Sequence, residues 1–188
     1  MRTILPVALA LAVGCASASE WPGPSRPYKG RVHTIPGMIE AEDFDEGGEG
    51  VAYHDSDPEN RETKQPPYRI SGVDLEWRED ASQKFNLGWT RPDEWLIYTV
   101  DVKEAGTYTI EMMVACDKPG GQFRLEFNGV DKTGPIDVPD TGGWKNLRPF
   151  SKSGVKLEPG RYAMKLVLDK PGVKGSIGDI DYFRFVKQ

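Results

Sequence analysis

Two aromatic residues on loop-like segments, Tyr68 and Trp144, are the side chains best suited to bind a ligand. Trp144 ends Asp140-Thr141-Gly142-Gly143-Trp144, which is rich in turn-forming residues, and Tyr68 follows Pro66-Pro67. Sugars stack their apolar C–H faces on flat aromatic rings and form hydrogen bonds through the hydroxyls at their edges. Burial of each aromatic under its own domain is the alternative, and spacing alone leaves both possibilities open.

Two pairs of acidic residues could bind a hard cation. Glu40 and Glu42 are two residues apart, and so are Asp179 and Asp181 near the C-terminus. Residues at this spacing share one face of a strand, so pairing of the first and last strands would bring several carboxylates together. Calcium takes about six to eight oxygen ligands and would suit such a site. Spacing alone nevertheless favours a solvated acidic surface.

The residue inventory argues against most catalytic sites. The chain has two histidines, His33 and His54, which makes His-dependent triads hard to build. It has no Gly-x-Ser-x-Gly motif, and no predicted helix follows a glycine-rich turn that could bind phosphate. With 29 acidic residues, a carboxylate pair at glycosidase spacing is expected by chance and carries no weight. A small secreted glycoside hydrolase therefore remains only as an alternative function.

The composition favours a β-rich protein that does not bind nucleic acid. The 188 residues include 21 glycines and 15 prolines, a share above the globular average that disfavours long helices. The formal net charge of −5 is the opposite of the basic surface that nucleic-acid binders usually carry. The length is suited to one domain.

Alternating apolar and polar residues predict a series of strands. The pattern is clearest from Tyr108 to Cys116, and it recurs at residues 96–102, 123–127 and 162–168. Asn128-Gly129 between two apolar runs is a strong hairpin signal. Such alternation is typical of antiparallel sheets with one face in solvent. We therefore predict an all-β fold, a β-sandwich (jelly-roll) of two antiparallel sheets.

Several large or reactive side chains are expected in the core of this sandwich. Trp77, Trp89 and Trp95 lie in or beside strand-like runs, so core packing is their favoured role. Cys116 lies on the apolar side of its strand and is expected to be a small buried hydrophobe rather than a nucleophile.

The N-terminus has the pattern of a secretion signal. Arg2 precedes an apolar run from Ile4 to Gly14, and Ala16-Ser17-Ala18 matches a signal peptidase site. The apolar run is too short to span a bilayer, and no later segment is long and apolar enough to do so. We predict a cleaved signal peptide over residues 1–18 and a secreted, extracellular or periplasmic protein.

Two further predictions concern the segment around the cleavage site. Residues 11–15 resemble a bacterial lipobox, so the alternative is a membrane lipoprotein acylated at Cys15. Residues 19–36 contain four prolines and no periodic apolar pattern, and we predict a flexible leader there. The β-sandwich module is predicted over residues 37–188.

The chain also resembles family 6 carbohydrate-binding modules, which are β-sandwich domains usually appended to secreted polysaccharide-degrading enzymes. The resemblance extends over roughly residues 37–187, where eight motifs occur in the family's order. These motifs are Ile39 to Asp43, Tyr53 to Pro58, Tyr68-Arg69 with Val73 to Glu76, Asn86 to Trp89, Glu94 to Val102, Ala105 to Ile110, Thr141 to Trp144 and Gly178 to Phe185.

The resemblance implies a metal site and a sugar site. A structural calcium would be held by Glu40, Glu42 and Asp181, together with loop carbonyls. A sugar ring would be clasped by Tyr68 and Trp144, and Asp179 occupies the position at which the family has an Asn that binds the sugar hydroxyls.

The chain departs from the family pattern at three places in the sugar site. Asp179 can accept hydrogen bonds but cannot donate them as an amide does, so affinity or specificity would differ. The loop over residues 60–67 is bulkier than usual, and Ser176 stands where some relatives have an aromatic residue. A shallower cleft, or loss of sugar binding, would follow.

The resemblance implies a non-catalytic protein that binds polysaccharide or oligosaccharide through an aromatic loop cleft. We expect a monomer with no nucleic-acid partner. An envelope or adhesion protein that uses the sandwich for protein contacts is the remaining alternative beside the hydrolase.

Overall fold

The computed structural model describes residues 24–62 and 66–188. The predicted signal peptide and Cys15 lie outside these residues. Thirteen strands occur in the described chain, and they are β1 (His33–Ile35), β2 (Gly37–Glu40), β3 (Tyr53–His54), β4 (Leu75–Trp77), β5 (Phe85–Leu87), β6 (Trp95–Val102), β7 (Gly106–Cys116), β8 (Gln122–Phe127), β9 (Val130–Asp131), β10 (Ile136–Asp137), β11 (Gly143–Leu157), β12 (Gly160–Lys170) and β13 (Asp179–Lys187).

The strands form two sheets that face each other. One sheet has the order β1-β6-β12-β8-β10, with β3 paired to β6 and β9 paired to β8. The other has the order β11-β7-β13-β5-β4, with β2 paired to β13. All pairings are antiparallel except that of β1 with β6, which is parallel. The predicted all-β sandwich is confirmed, with this one parallel pair as an addition.

The core lies between the sheets and is built by the alternation seen in the sequence. In β7, Tyr108, Ile110, Met112 and Val114 are all buried and point inward. Equivalent positions of β6, β8, β12 and β13 supply the opposite and flanking walls. The only helical turn among the described residues is a short 3₁₀ turn, Tyr28–Gly30, and no helix there is long and apolar enough to cross a membrane.

Two local predictions are confirmed in detail. Asn128 and Gly129 have φ of 50° and 77°, the left-handed pair that a tight two-residue hairpin needs between β8 and β9. Cys116 is a free, buried thiol, and burial raises its pKa to about 11, with nearby acidic side chains contributing. Such a thiol is protonated and unreactive at neutral pH.

The prediction that three tryptophans pack in the core is wrong for all three. Trp77 is 38% exposed and Trp89 is 41% exposed, and Trp95 is half-buried. Trp77 is the last residue of β4, an edge strand, where the core ends. Trp95 faces outward because the alternation of β6 turns its neighbour Leu96 into the core.

The described part of the predicted leader, residues 24–36, is an integral part of the fold rather than a flexible segment. His33–Ile35 forms β1 against β6, and Ile35 is completely buried. The Ser25 hydroxyl donates a hydrogen bond to the buried carboxylate of Asp45 at 2.9 Å. The sequence did not reveal this strand because its three residues are too few for a two-residue period to be recognised.

Ile35 gives a direct test of the role of this segment. Ile35→Ala removes a fully buried side chain, so we expect it to lower the free energy of unfolding by about 2–5 kcal/mol. Thr34→Ala, at the exposed neighbouring position of β1, is the control and should change it by less than about 0.5 kcal/mol. Denaturant titration measures both values. Equal, small effects of the two substitutions would show that residues 24–36 do not belong to the cooperative fold.

Candidate functional site

An open cleft of ≈ 440 Å³ lies at one end of the sandwich. It is formed by β4, the segment after β5, the start of β11, and the segment that leads into β13. Its lining residues are Glu76, Gly88, Trp89, Thr90, Arg91, Trp144, Lys174, Gly175, Ser176 and Asp179. Two tryptophans and two carboxylates therefore face one cleft.

Trp89 reaches the cleft because the backbone turns sharply after β5. Its φ is 48°, a left-handed conformation that is uncommon for a bulky residue. The preceding Gly88 donates its amide to the Asp74 carbonyl at 3.0 Å, and a β-carbon on Gly88 would lie 3.4 Å from the Glu76 Cβ. The turn thereby takes Trp89 out of the sheet and leaves its side chain partly exposed.

Thr90 ties the Trp89 segment to the segment before β13. Its hydroxyl donates to the Gly178 carbonyl at 2.7 Å, and the Gly178 amide donates back to the hydroxyl at 3.1 Å. The Thr90 carbonyl accepts a third bond from the Ile177 amide at 3.1 Å. Two walls of the cleft are therefore held together by one side chain and its backbone.

Trp144 lies on a second wall and is half-buried at the edge of the core. Gly142 and Gly143, with φ of 84° and 140°, form the turn that precedes it. The hydroxyl of Thr141 anchors this turn, since it accepts from the Cys116 amide at 2.9 Å and donates to the Cys116 carbonyl at 3.1 Å. The predicted loop tryptophan is thus placed in the cleft by a glycine turn fixed to β7.

Asp179, the first residue of β13, forms part of the cleft floor. It is only 4% exposed, and burial raises the pKa of its carboxyl well above the usual range, with the charge of Glu76 acting in the same direction and Arg78 opposing it. The structure therefore brings Trp144 and Asp179 together, as the family resemblance implies.

Tyr68, the third predicted sugar-site residue, does not line this cleft. It lies in a separate, smaller cavity of ≈ 130 Å³, together with Tyr28 and Asp43. Its hydroxyl donates to Asp43 Oδ1 at 2.5 Å, and its ring centroid is 5.1 Å from that of Phe85. Its side chain is committed to internal contacts, so the predicted pairing of Tyr68 with Trp144 does not occur in this structure.

Trp89 is the cleft aromatic that the sequence analysis missed. It was assigned to the core because it follows the strand-like residues 85–87. The available signal was Gly88, which ends the apolar run and allows the chain to leave the sheet. For Tyr68, the neighbouring prolines at 66–67 were a poorer guide, because a loop position does not establish where the side chain points.

The predicted metal ligands Glu40, Glu42 and Asp181 lie in one acidic cluster on the side of β13 where β2 pairs. Ser82 links two of them: its hydroxyl lies within hydrogen-bond distance of both Glu40 Oε2 and Asp181 Oδ1, and its amide lies 3.1 and 3.2 Å from the two Asp181 oxygens. Within residues 24–62 and 66–188, no three or more Asp, Glu, His or Cys side chains lie in an arrangement that could hold a metal ion without rearrangement.

Glu42 is the anomalous member of the cluster. Both of its carboxylate oxygens are buried and have no hydrogen-bond partner. Burial raises the pKa of Glu42 to about 9, and the charges of Glu40, Asp43 and Asp181 add to the increase. A buried carboxylate without a partner is costly in free energy, so this position calls for a proton or a cation.

Arg69 fixes the backbone beside Glu42. Its guanidinium donates to the carbonyls of Glu42 and Phe44 and, at 3.0 Å, to that of Asp45. It also stacks on the Phe44 ring, with its central carbon 3.6 Å from the ring centroid. The chain segment that carries Glu42 is therefore fixed by hydrogen bonds from Arg69 to three of its backbone carbonyls.

Comparison with known proteins identifies relatives of this architecture. The family model for the carbohydrate binding module (family 6) matches residues 67–187. The clotting factor G alpha subunit of Tachypleus tridentatus is 31% identical over 102 residues, which are 53% of this chain and 15% of that protein. The chain thus spans only a small part of that relative's length.

Two solved structures share the fold. A β-1,3-glucan binding CBM6 from Bacillus halodurans is 23% identical, with a TM-score of 0.60 over 82% of this chain and 98% of that one. The module CBM6cm-2 of Cellvibrio mixtus lichenase 5A, in complex with cellotriose, is 23% identical, with a TM-score of 0.59 over the same shares. Because the family match covers more than half of the sequence, the chain belongs to carbohydrate-binding module family 6, and residues 67–187 form a non-catalytic module that binds carbohydrate.

Proposed function

We propose that this chain binds a neutral β-linked glucan by stacking one sugar ring between Trp89 and Trp144, with Asp179 accepting hydrogen bonds from the ring hydroxyls. The observation that carries this proposal is that both tryptophans line one cleft whose floor contains Asp179. The cleft volume lies within the range of about 300–1,000 Å³ that is usual for small-molecule sites.

The cleft provides the two kinds of contact that a sugar requires. The indole rings offer flat apolar surfaces to the C–H faces, and Glu76 and Asp179 offer carboxylate oxygens to the hydroxyls. The hydroxyls of Thr90 and Ser176 lie 3.2 Å apart and are already bonded to each other, so they form part of the wall. A contact of this size supports Kd values from about 1 mM to 1 μM.

The choice of glucan is supported by the relatives. One similar structure is described as β-1,3-glucan binding, and another holds cellotriose. Both ligands are built from neutral glucose rings joined through β linkages. We therefore propose β-1,3-glucan oligosaccharides and cellotriose as the first ligands to test.

Substitutions of single aromatic residues test whether the sugar binds in the cleft or in the smaller cavity that contains Tyr68. We expect Trp89→Ala and Trp144→Ala each to weaken binding of a β-1,3-glucan oligosaccharide or cellotriose by about tenfold or more, because each removes one stacking surface. Tyr68→Ala is the matched control and should bind as the wild type does, since Tyr68 lines the other cavity. Isothermal titration calorimetry measures the affinities.

Two results would contradict this assignment. Binding that survives both tryptophan substitutions would place the sugar elsewhere, and binding lost only in Tyr68→Ala would support the stacking role that the resemblance implies for Tyr68. Thermal unfolding of each variant checks that the fold is retained. No sugar release from the oligosaccharides is expected, since we propose that the whole chain is non-catalytic.

We also propose that a structural calcium ion is held by Glu40, Glu42 and Asp181. The support is the Glu42 carboxylate, whose two buried oxygens have no partner among the described residues. Carboxylate oxygens are the ligands that calcium prefers, and the ion would supply the positive charge that this cluster lacks. It would stabilise the pairing of the first and last strands of one sheet.

Thermal unfolding with and without calcium tests this site. At a calcium concentration about 100 times its Kd, we expect stabilisation by about 2.7 kcal/mol, or a Tm roughly 5–10 °C above that in a chelator. Glu42→Gln should abolish the difference because it removes one charged ligand. Glu111→Gln, at an exposed position of β7, should retain it. An identical wild-type Tm in chelator and in calcium would refute the site.

We further propose that the protein is secreted through the predicted signal peptide. Cleavage after Ala18 leaves Ser19 as the first residue. Mass spectrometry of the protein recovered from its native producer is expected to show this N-terminus. An N-terminal acylated Cys15 would instead establish the lipoprotein alternative.

A further inference from the structure

A buried guanidinium, that of Arg78, lies directly behind the cleft. Its Nη1 donates a hydrogen bond to the backbone carbonyl of Trp144 and lies 3.7 Å from both Glu76 Oε2 and Asp179 Oδ2. Its Nε and Nη2 donate to the two carboxylate oxygens of Asp80, each at 2.9 Å. Arg78 is 6% exposed and contacts three residues of the cleft lining, although it does not line the cleft itself.

The contact with Trp144 replaces strand pairing that is missing at this point. The paired register of β11 on β7 stops at Gly143 and resumes only at Arg148. The two residues before Trp144 are glycines with positive φ. Because glycine has no side chain, the backbone is less restricted there than at other residues. The bond from Arg78 therefore fixes a tryptophan whose backbone has no register partner across the sheet.

The carboxylates around Arg78 give the cleft floor its charge. Three acidic side chains, those of Glu76, Asp80 and Asp179, surround this one guanidinium. Burial raises the pKa of Asp179 and favours its protonated form, but the carboxylates of Glu76 and Asp80 still outnumber the guanidinium, so the group carries excess negative charge. The planar guanidinium can meet several oxygens at once in a fixed geometry, which an ammonium cannot do. It therefore holds the two floor carboxylates, Glu76 and Asp179, in position relative to Trp144.

The two basic side chains that line the cleft, Arg91 and Lys174, are paired with carboxylates too. Arg91 Nη1 lies 3.4 Å from Asp57 Oδ2, and Lys174 Nζ lies 3.5 Å from Asp117 Oδ2. Among the described lining residues, these two are the only basic side chains. An anionic sugar entering the cleft would therefore meet negative charge at the floor and cations that already have partners at the rim.

We propose that Arg78 is the positioning residue of the sugar cleft, which aligns Trp144 with the ring face and holds in place the carboxylates of a net negative floor that admits neutral sugars and disfavours sugars carrying a carboxylate. This inference rests on the proposed function and deepens it. The guanidinium acts through Trp144, Glu76 and Asp179 and does not touch the sugar.

The test compares two substitutions of Arg78 on two matched ligands. The ligands are cellotriose and the same trisaccharide with one hydroxymethyl group oxidised to a carboxylate. We expect the wild type to prefer the neutral form by at least about tenfold. Arg78→Lys keeps the positive charge but loses the planar guanidinium with its several donors. It should therefore weaken cellotriose binding by about tenfold and leave the preference for the neutral ligand unchanged. Arg78→Gln also removes the positive charge, so the preference for the neutral form should widen.

A change in selectivity is the readout that distinguishes positioning and charge from a general loss of structure. Arg184→Lys, at an exposed position of β13, is the matched control and should alter neither affinity nor preference. Near-ultraviolet circular dichroism reports whether the tryptophan environments are retained in each variant. An Arg78→Gln protein that binds both ligands as the wild type does, or that weakens both by one common factor, would overturn the inference.

The proposed function and this inference fail in different ways. If wild-type protein binds neither cellotriose nor a β-1,3-glucan oligosaccharide, the proposed function falls and the inference falls with it. If wild-type binding is present and depends on Trp89 and Trp144 but the Arg78 variants retain wild-type affinity and preference, only the inference falls.

Discussion

The β-bulge at Asp181 allows the last strand, β13, to contribute side chains to the core, to the acidic cluster and to the cleft. In the pairing of β13 with β7, Ile180 is opposite Val114 and Tyr182 is opposite Met113, so Asp181 is an extra residue. The extra residue shifts the alternation by one. Ile180 and Phe183, three positions apart, are therefore both fully buried, while Asp181 contacts Ser82. A regular strand would turn one of these apolar residues away from the core.

The same strand connects the two sites physically. Asp179 enters the cleft floor and Asp181 enters the acidic cluster, and the segment from Arg78 to Ser82 contacts both of them. Removing a partner from a buried charge is costly, because the charge left behind is not solvated. Each carboxylate is therefore constrained by the strand that carries it and by a donor on the neighbouring segment. The cleft floor is accordingly fixed to β13, the central strand of its sheet.

Sequence periodicity predicted the sandwich because a two-residue period directly reports which face of a strand is buried. The family resemblance, rather than periodicity, assigned Trp144 and Asp179 to one site, because spacing alone left Trp144 open between exposure and burial and favoured a solvated surface for Glu40 and Glu42. Periodicity could not reveal the bulge at Asp181, which depends on register between distant strands. Nor could it reveal the left-handed backbone of Trp89, since that conformation is stabilised by contacts with other segments.

The cleft depends on a few polar contacts, whereas the sandwich depends on a large apolar core. Thr90, Thr141 and Arg78 fix the cleft segments through hydrogen bonds to backbone carbonyls, and none of them contributes apolar surface to the core. Substitution at the aromatic or acidic cleft positions can therefore change the ligand while leaving strand pairing intact. Substitution of the three anchoring residues acts differently, because it alters the geometry in which every cleft side chain is presented. Under the proposed function, sugar selectivity depends on these anchors as much as on the residues that would touch the ligand.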